Sequence, residues 1–163
     1  MISVRVATEN DLTAVTEIYN EAILTTTATF DTEPVTEAQQ RLWLAEHDAR
    51  YPVLVAERDG IVVGWASLSR WSGRCGYADT AEISLYVKSE QHGNGIGKKL
   101  IVEIIQAGQE AGLHSVLARI AEGNEISVHL HHTVGFELVG VIREVGHKFG
   151  RWLDVHLMQK IYP

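Results

Sequence analysis

Apolar residues recur at the three- and four-residue spacing of a helix face in four separate stretches of the chain. The first stripe, Leu12 to Ile23, directly follows a capping-box pattern at residues 8–11. The second stripe follows a similar pattern formed by Thr36 and Gln39. A glycine, which commonly ends a helix, comes directly after the third stripe and after the fourth. The predicted helices are 12–23, 36 to about 50, 95 to about 111, and 124–134.

Other stretches alternate apolar and polar residues, or are short apolar runs bounded by turn residues, as strands are. Asp59-Gly60 joins two of them, because both residues tolerate the positive φ of a tight hairpin turn. The predicted strands are 2–7, 53–57, 61–68, 81–87 and 115–121, with a last hairpin within 136–160. Helices and strands interleave, so we expect an α/β (α+β) fold. It forms one domain over 1–163, with a mixed sheet of about seven strands and helices on both faces.

Composition and charge narrow the function classes. The formal net charge is −7, which argues against a broad nucleic-acid surface. No apolar run approaches the roughly 18 residues that span a bilayer, and the first residues lack the apolar core of a signal peptide. We therefore expect a cytoplasmic protein with neither a membrane nor a nucleic acid as its partner.

The most distinctive segment lies between the strand 81–87 and the helix after it. It reads Gln91-His92-Gly93-Asn94-Gly95-Ile96-Gly97-Lys98-Lys99. Alternating glycines let backbone N–H groups turn toward one point, and the helix start adds unpaired N–H groups and the positive end of its dipole. This arrangement is typical of a loop that binds phosphate groups.

Two common nucleotide motifs do not fit this loop. The dinucleotide fingerprint needs a glycine at its sixth position, which is Lys98 or Leu100 here, depending on the starting glycine. The nucleotide P-loop needs Ser or Thr where this chain has Lys99, and a glycine where it has His92. A different phosphate-bearing ligand is therefore indicated.

The remaining pattern, Arg/Gln-x-x-Gly-x-Gly/Ala, aligns with 92–97 and resembles motif A of the GCN5-related N-acetyltransferases (GNAT). The likeness covers essentially the whole chain, and its second half is similar to the phosphinothricin acetyltransferase group. His92 replaces the usual Arg or Gln, while Gln91 lies one residue early. The other matching stretches are 80–87, 95–98, 123–124, 130–131, 135–136 and 148–155.

The resemblance implies a single-domain GNAT fold that uses acetyl-CoA as cosubstrate. The strand is expected to splay at Leu85, Tyr86 and Val87, so that the pantothenate arm pairs with their backbone groups like an added strand; these residues fit an ordinary buried strand equally well. Asn124 and Ser127 would contact the arm, although a helix cap also suits Asn124, and capping or packing suits Ser127. The residues expected to hold the pyrophosphate are His92, Gly93, Asn94, Gly95, Ile96, Gly97 and Lys98.

Two residues are candidates for the chemistry. Glu82 lies in the middle of an apolar strand, where glutamate is unfavourable without a reason. The resemblance makes it the general base that takes the amine proton through a water; the alternative is an exposed strand glutamate. His131 stands where many family members carry a tyrosine that protonates the departing thiolate, so it either donates that proton or only packs on the cofactor.

The resemblance also implies a pocket for a small amino acid. In the resembled group, residues such as Arg74 and Tyr77 hold the substrate carboxylate, which leaves the amine near the base. The segment 27–30 would form a second wall, and the last hairpin either joins the pocket, forms a dimer interface or is a solvated turn. The expected substrate contacts are Phe30, Arg74, Tyr77, Thr80 and Lys148.

We therefore predict an acetyl-CoA-dependent N-acetyltransferase acting on a small amino acid or analogue, such as phosphinothricin, methionine sulfoximine or methionine sulfone. A homodimer is expected. One alternative is acetylation of a protein N-terminus, a lysine or another amine. Another is a CoA-binding sensor without catalysis, which the presence of Glu82 disfavours.

Metal and thiol chemistry are not expected. His129 and His132 lie three residues apart on one predicted helix, but no convergent carboxylate or cysteine accompanies them. Cys75 is the only cysteine, so no internal disulfide forms, and it has no histidine nearby in sequence to activate it.

Overall fold

The computed structural model describes residues 1–163 as seven strands and four α-helices, with three single-turn 3₁₀ segments. The strands are β1 Ile2–Val6, β2 Val53–Arg58, β3 Ile61–Arg70, β4 Thr80–Val87, β5 Ser115–Ala121, β6 Glu137–Lys148 and β7 Arg151–Ile161. The helices are α1 Leu12–Thr25, α2 Glu37–Ala45, α3 Ile96–Glu110 and α4 Glu125–His132. None of these helices is both long and apolar enough to cross a membrane.

All seven strands form one mixed sheet in the order β1-β2-β3-β4-β5-β7-β6. Every neighbouring pair is antiparallel except β4 and β5, which run parallel. The last hairpin places β7 beside β5 and leaves β6 at the edge. The expected α/β fold and strand number are confirmed.

Helices cover both faces of the sheet, as predicted. Successive strand residues point to opposite faces, so β2 divides its apolar residues between two cores. Leu54 and Ala56 belong to the larger core, which contains the apolar side of α3. Val55 packs with Val15 and Ile18 of α1 on the other face. The periodic stripes in the sequence therefore mark the surfaces that bury these helices.

The second helix is shorter than its sequence pattern predicts. It ends at Ala45, whereas the pattern extends it to about residue 50. The carboxylate of Asp48 accounts for the difference, because its Oδ1 accepts hydrogen bonds from the backbone N–H groups of Arg50 and Tyr51, at 3.0 and 3.1 Å. This local turn competes with the helical hydrogen-bond pattern.

Tyr162, just beyond β7, fixes α3 against the sheet. Its buried hydroxyl donates to the carbonyl of Ile105 at 2.7 Å. Gly108 of α3 leaves space for the tyrosine ring. A Cβ added there would lie 2.5 Å from the tyrosine hydroxyl and 2.7 Å from Leu68 Cδ1. Glycine is therefore required at this helix position by close packing and not by backbone conformation.

A wedge-shaped gap between β4 and β5 is the feature that shapes the functional region. The two strands pair only where Thr80–Glu82 meets Ser115–Leu117. Beyond that point β4 stays paired with β3 as far as Val87, and β5 stays paired with β7 as far as Ala121. The two strands therefore separate without any loss of order in either.

The segment between α1 and α2 forms one wall beside this gap and is tied to the last hairpin by Lys148. That lysine is 4% exposed, and its Nζ donates to the carbonyls of Thr26 and Thr29 at 2.7 and 2.8 Å. Burial lowers the pKa of this ammonium, and the charge of Asp31 opposes the shift. A solvated hairpin position, one of the alternatives for Lys148, is therefore wrong, because the ammonium is used to fix the wall.

We predict that Gly108→Ala lowers the free energy of unfolding by about 1–3 kcal/mol, because the new methyl group collides with two buried side chains. The gain in helix propensity, about 1 kcal/mol, is too small to reverse this effect. Urea unfolding measures the difference. Gly73→Ala is the control, since its Cβ would meet nothing within 4 Å; equal stability of the two variants would contradict the packing argument.

We predict that Lys148→Met increases amide hydrogen exchange in residues 26–31, because two carbonyls lose their donor while the buried volume is kept. Leaving such acceptors unpaired costs about 1–3 kcal/mol. Mass spectrometry of exchanged peptides locates the effect. Lys99→Met, on an exposed helix position, controls for the loss of a charge; unchanged exchange in the wall of the Lys148 variant would refute the assignment.

Candidate active site

A cavity of about 540 Å³ occupies the gap between β4 and β5. One side is β4 from Glu82 to Tyr86, and the other is β5 from Ala118 to Ala121. The wall segment 28–31 and the start of α4 close it further. The divergence of two strands thus creates a cleft inside a continuous sheet.

Glu82 lies at the point where the strands begin to separate, and its carboxylate is held by Arg119 of β5. Nε donates to Oε2 at 2.5 Å and Nη2 donates to Oε1 at 2.7 Å. This two-bond contact raises the pKa of Arg119 above its ordinary value. The Glu82 side chain is 21% exposed, so it is accessible from the cavity without being fully solvated.

Arg119 is a site residue that the sequence reasoning missed. It is the only charged residue of β5, whose other members are apolar or serine. Glu82 pairs with Leu117 in the parallel register, and Arg119, two residues later, returns to the same face. A lone arginine in an apolar strand is the signal that would have identified it.

The backbone of β4 is open on the side of the gap. Leu85, Tyr86 and Val87 pair with β3 on one side only, since the ladder to β5 ends at Glu82. Backbone groups that face β5 in this stretch therefore lack a strand partner. The splay expected of this segment is present, and an extended chain can pair with it as an added strand.

The glycine loop has the geometry of an anion site. Gly93 and Gly95 have φ of +84° and +78°, values that favour glycine. Backbone N–H groups 93–98 make no hydrogen bond within the protein, and the first internal bond of α3 runs from Lys99 N–H to Gly95 O at 3.1 Å. Several free N–H donors at a helix start suit a phosphate ligand.

His92 has a local partner in the loop. Its Nε2 lies 3.0 Å from the carbonyl oxygen of Val87, the last residue of β4. The imidazole therefore connects the loop to the strand end, and the anion-binding capacity of the loop comes from backbone groups. Gly97 faces Leu130 of α4, and an added Cβ would lie in ordinary contact with it at 3.5 Å.

The helix α4 and its N-cap residue contribute three polar side chains to the cavity: Asn124, Ser127 and His131. Asn124 Oδ1 accepts from the N–H of Ser127 at 3.3 Å, so it caps the helix and keeps its amide nitrogen without a protein partner. His131, 5% exposed, lies with Nδ1 2.7 Å from the carbonyl of Ser127 and packs edge-on against Phe136. Burial lowers the pKa of His131, which favours a neutral ring.

Two tyrosines and the wall segment form the polar side of the cavity. Tyr19 lies 3.0 Å from the Thr29 hydroxyl and donates to the Asp31 carboxylate. Tyr86 donates to the carbonyl of Ala28 at 3.4 Å. Burial raises the pKa of Tyr19 and raises that of Tyr86 to about 12, so both rings remain neutral donors.

The predicted substrate contacts do not all converge. Phe30 lines the cavity and packs on Gly146, where an added Cβ would lie 2.2 Å from its ring. Arg74, Tyr77 and Thr80 are not among the cavity-lining residues, and Arg74 and Tyr77 are exposed. Lys148 is not a cavity-lining residue either, because its ammonium donates to the backbone carbonyls of the wall segment. Across the whole structure, no group of three His, Cys, Asp or Glu side chains is arranged to hold a metal ion.

Comparison with known proteins places this geometry in a family. Residues 4–157 match the family described as an acetyltransferase (GNAT) domain. The chain is 39% identical over 162 residues to an L-methionine sulfoximine/L-methionine sulfone acetyltransferase of Salmonella typhimurium, covering 97% of this chain and 93% of the relative.

Two solved structures share the fold closely. A GNAT superfamily phosphinothricin acetyltransferase from Sinorhizobium meliloti, in complex with acetyl-CoA, superposes with a TM-score of 0.95 at 36% identity, covering 98% of this chain and 88% of that one. A ribosomal-protein-alanine N-acetyltransferase from Brucella melitensis also gives 0.95, at 42% identity and 98% and 99% coverage. The chain therefore belongs to the GNAT family of acetyltransferases.

Proposed function

We propose that this protein transfers the acetyl group of acetyl-CoA to the amine of a small amino acid or analogue such as methionine sulfoximine, methionine sulfone or phosphinothricin. The observation that carries the proposal is the position of Glu82, at the narrow end of a cleft bounded by an open strand edge. The names of the methionine sulfoximine and phosphinothricin relatives support this substrate class.

The residues of the cleft fit acetyl-CoA along its length. The free N–H groups of the glycine loop suit the pyrophosphate, and the open edge at Leu85–Val87 suits the amide groups of the pantothenate arm. The amide nitrogen of Asn124 supplies a further donor. When bound, the cosubstrate provides an acetyl group already activated as a thioester.

Glu82 accepts the proton that the amine must lose before it attacks, directly or through one water. Its position at the start of the gap leaves the carboxylate open to a substrate in the cavity. A backbone N–H at Leu85–Val87 stabilises the oxyanion that develops on the thioester carbonyl. These two roles need no metal ligand and no covalent enzyme intermediate.

His131 shapes the cavity and keeps a neutral ring. Nδ1 faces a carbonyl oxygen, an acceptor, so Nδ1 carries the ring proton and Nε2 carries none. With its pKa lowered by burial, the ring is not an efficient proton donor at neutral pH. The arrangement therefore favours packing over the proton-donor alternative.

A homodimer in the cytoplasm, where acetyl-CoA is available, completes the proposal. The edge strand β6 supports self-association, because it exposes a row of apolar side chains. They are Leu138, Val139, Val141, Ile142 and Val145.

Acetylation of a protein N-terminus is the second candidate, because a similar structure is named a ribosomal-protein-alanine N-acetyltransferase. A thiol-release assay with acetyl-CoA separates the candidates. Thiol release with methionine sulfone or phosphinothricin supports the proposal; release only with a peptide bearing an N-terminal alanine favours the alternative. Acetyl-CoA binding without turnover of any amine would indicate a sensor.

We predict that Glu82→Gln lowers kcat by about 10²–10⁴-fold, because the amine loses its proton acceptor. The dissociation constant of acetyl-CoA, measured by calorimetry, should stay within about threefold, because the carboxylate lies away from the glycine loop. Glu103→Gln, on an exposed position of α3, is the control. Near-normal turnover of the Glu82 variant would remove this residue from the base role.

We predict that His131→Asn keeps kcat within about threefold of the parent value. The Asn amide nitrogen replaces Nδ1 as the donor to Ser127, whereas nothing replaces Nε2. His131→Gln is the matched variant, because its amide nitrogen occupies the Nε2 position instead. A drop of 100-fold or more in the Asn variant, with normal acetyl-CoA affinity, would restore the proton-donor role.

A further inference from the structure

We propose that Arg119 binds the carboxylate of the amino acid substrate, by exchanging its ion pair with Glu82 for an ion pair with the substrate. This inference rests on the proposed function and defines its substrate class more narrowly. It assigns to a residue of β5 the carboxylate-binding role that the sequence suggested for Arg74.

The charge distribution of the cavity carries the assignment. Arg119 is the only lysine or arginine among the residues that line it, whereas two acids, Glu82 and Asp31, do so. Lys148, the nearest alternative, already donates to two backbone carbonyls. Arg74 is exposed outside the cavity, and its guanidinium makes no hydrogen bond.

The Glu82–Arg119 pair is complementary to an amino acid. An α-amino acid carries an ammonium and a carboxylate on one carbon, and the pair presents a carboxylate and a guanidinium held 2.5–2.7 Å apart. Inserting the substrate replaces one internal ion pair with two new ones: ammonium to Glu82, and carboxylate to Arg119. No charge is left unpaired in the cleft, and the guanidinium keeps a two-bond geometry.

Arg119 is placed to make this exchange. Its side chain is 55% exposed, so the guanidinium can turn away from Glu82 without disturbing buried packing. The indole of Trp71 lies 5.5 Å from its Cζ, near enough for a cation–π contact that keeps the guanidinium near the cavity. The strands have already separated at this level, which leaves room for a small molecule between them.

The exchange links recognition to catalysis. In the free protein both oxygens of Glu82 accept from Arg119, so an amine must compete with the guanidinium for them. A substrate carboxylate draws Arg119 away and leaves Glu82 to the amine. Amines without a neighbouring carboxylate, such as peptide N-termini and lysine side chains, do not produce this release. Free amino acids are thus preferred as a class.

The test compares methionine sulfone with its carboxamide, which keeps the amine and lacks the charge. We expect the parent protein to prefer the acid by about 10- to 100-fold in kcat/KM. Arg119→Gln should lose most of that preference, chiefly through a higher KM for the acid. It should not lower kcat/KM for the amide, because the amide no longer competes with the guanidinium for Glu82. Arg41→Gln, on an exposed helix position, is the matched control and should keep the preference.

Two results would overturn the assignment. If Arg119→Gln lowers kcat/KM equally for the acid and the amide, Arg119 only positions Glu82 and does not bind the substrate carboxylate. If Arg74→Gln loses the preference for the acid and Arg119→Gln keeps it, the substrate carboxylate binds to Arg74 in the loop after β3. Circular dichroism and acetyl-CoA affinity establish that each variant is folded, and Arg119→Lys tests whether a single charge suffices.

Calorimetric titration of methionine sulfone into the CoA-bound protein separates this inference from the proposed function. If the parent binds the amino acid but does not acetylate it, the proposed function fails. Loss of binding in Arg119→Gln then still supports the carboxylate site. If instead Arg119→Gln acetylates amino acids as well as the parent does, the proposed function holds and the Arg119 assignment fails. No binding to either protein would overturn both.

Discussion

The separation of β4 from β5 is the constraint on which the rest of the site depends. A sheet of seven strands normally satisfies its backbone groups by continuous pairing, and here one parallel pair stops after three residues. That interruption provides a cavity, an open strand edge and access to Glu82 at the same time. The antiparallel partners β3 and β7 keep both strands paired on their other edges, so the gap lies between ordered strands.

Charge is used locally in this molecule. The chain carries a formal net charge of −7, yet its proposed cosubstrate is an anion. Free backbone N–H groups at the glycine loop resolve this conflict, since they attract phosphate without adding any formal positive charge. The few cations near the cleft have specific partners: Arg119 holds Glu82, and Lys148 holds two carbonyls.

Much of the fold, and the geometry of the glycine loop, could be predicted from the sequence, because each depends on local pattern. Apolar periodicity indicated every helix and strand, and the alternating glycines marked the loop before α3. The end of α2 was missed because one side chain, Asp48, redirects the backbone. Arg119 was missed for a different reason. Its isolation in an apolar strand was a local signal, but its partner is not local. Glu82 is 37 residues away in the sequence, and the two meet only through the register of a parallel strand pair.

The hydrogen bonds of Lys148 have a consequence for how the molecule is made. Lys148 lies 122 positions after Thr26 and 119 positions after Thr29 in the sequence. The strand β5 likewise pairs along its whole length with β7, near the end of the chain. A ribosome releases the glycine loop and Glu82 well before it releases these last strands. During synthesis the chain therefore carries Glu82 for some time without an assembled cleft. The cleft is completed late, when the final hairpin emerges and docks.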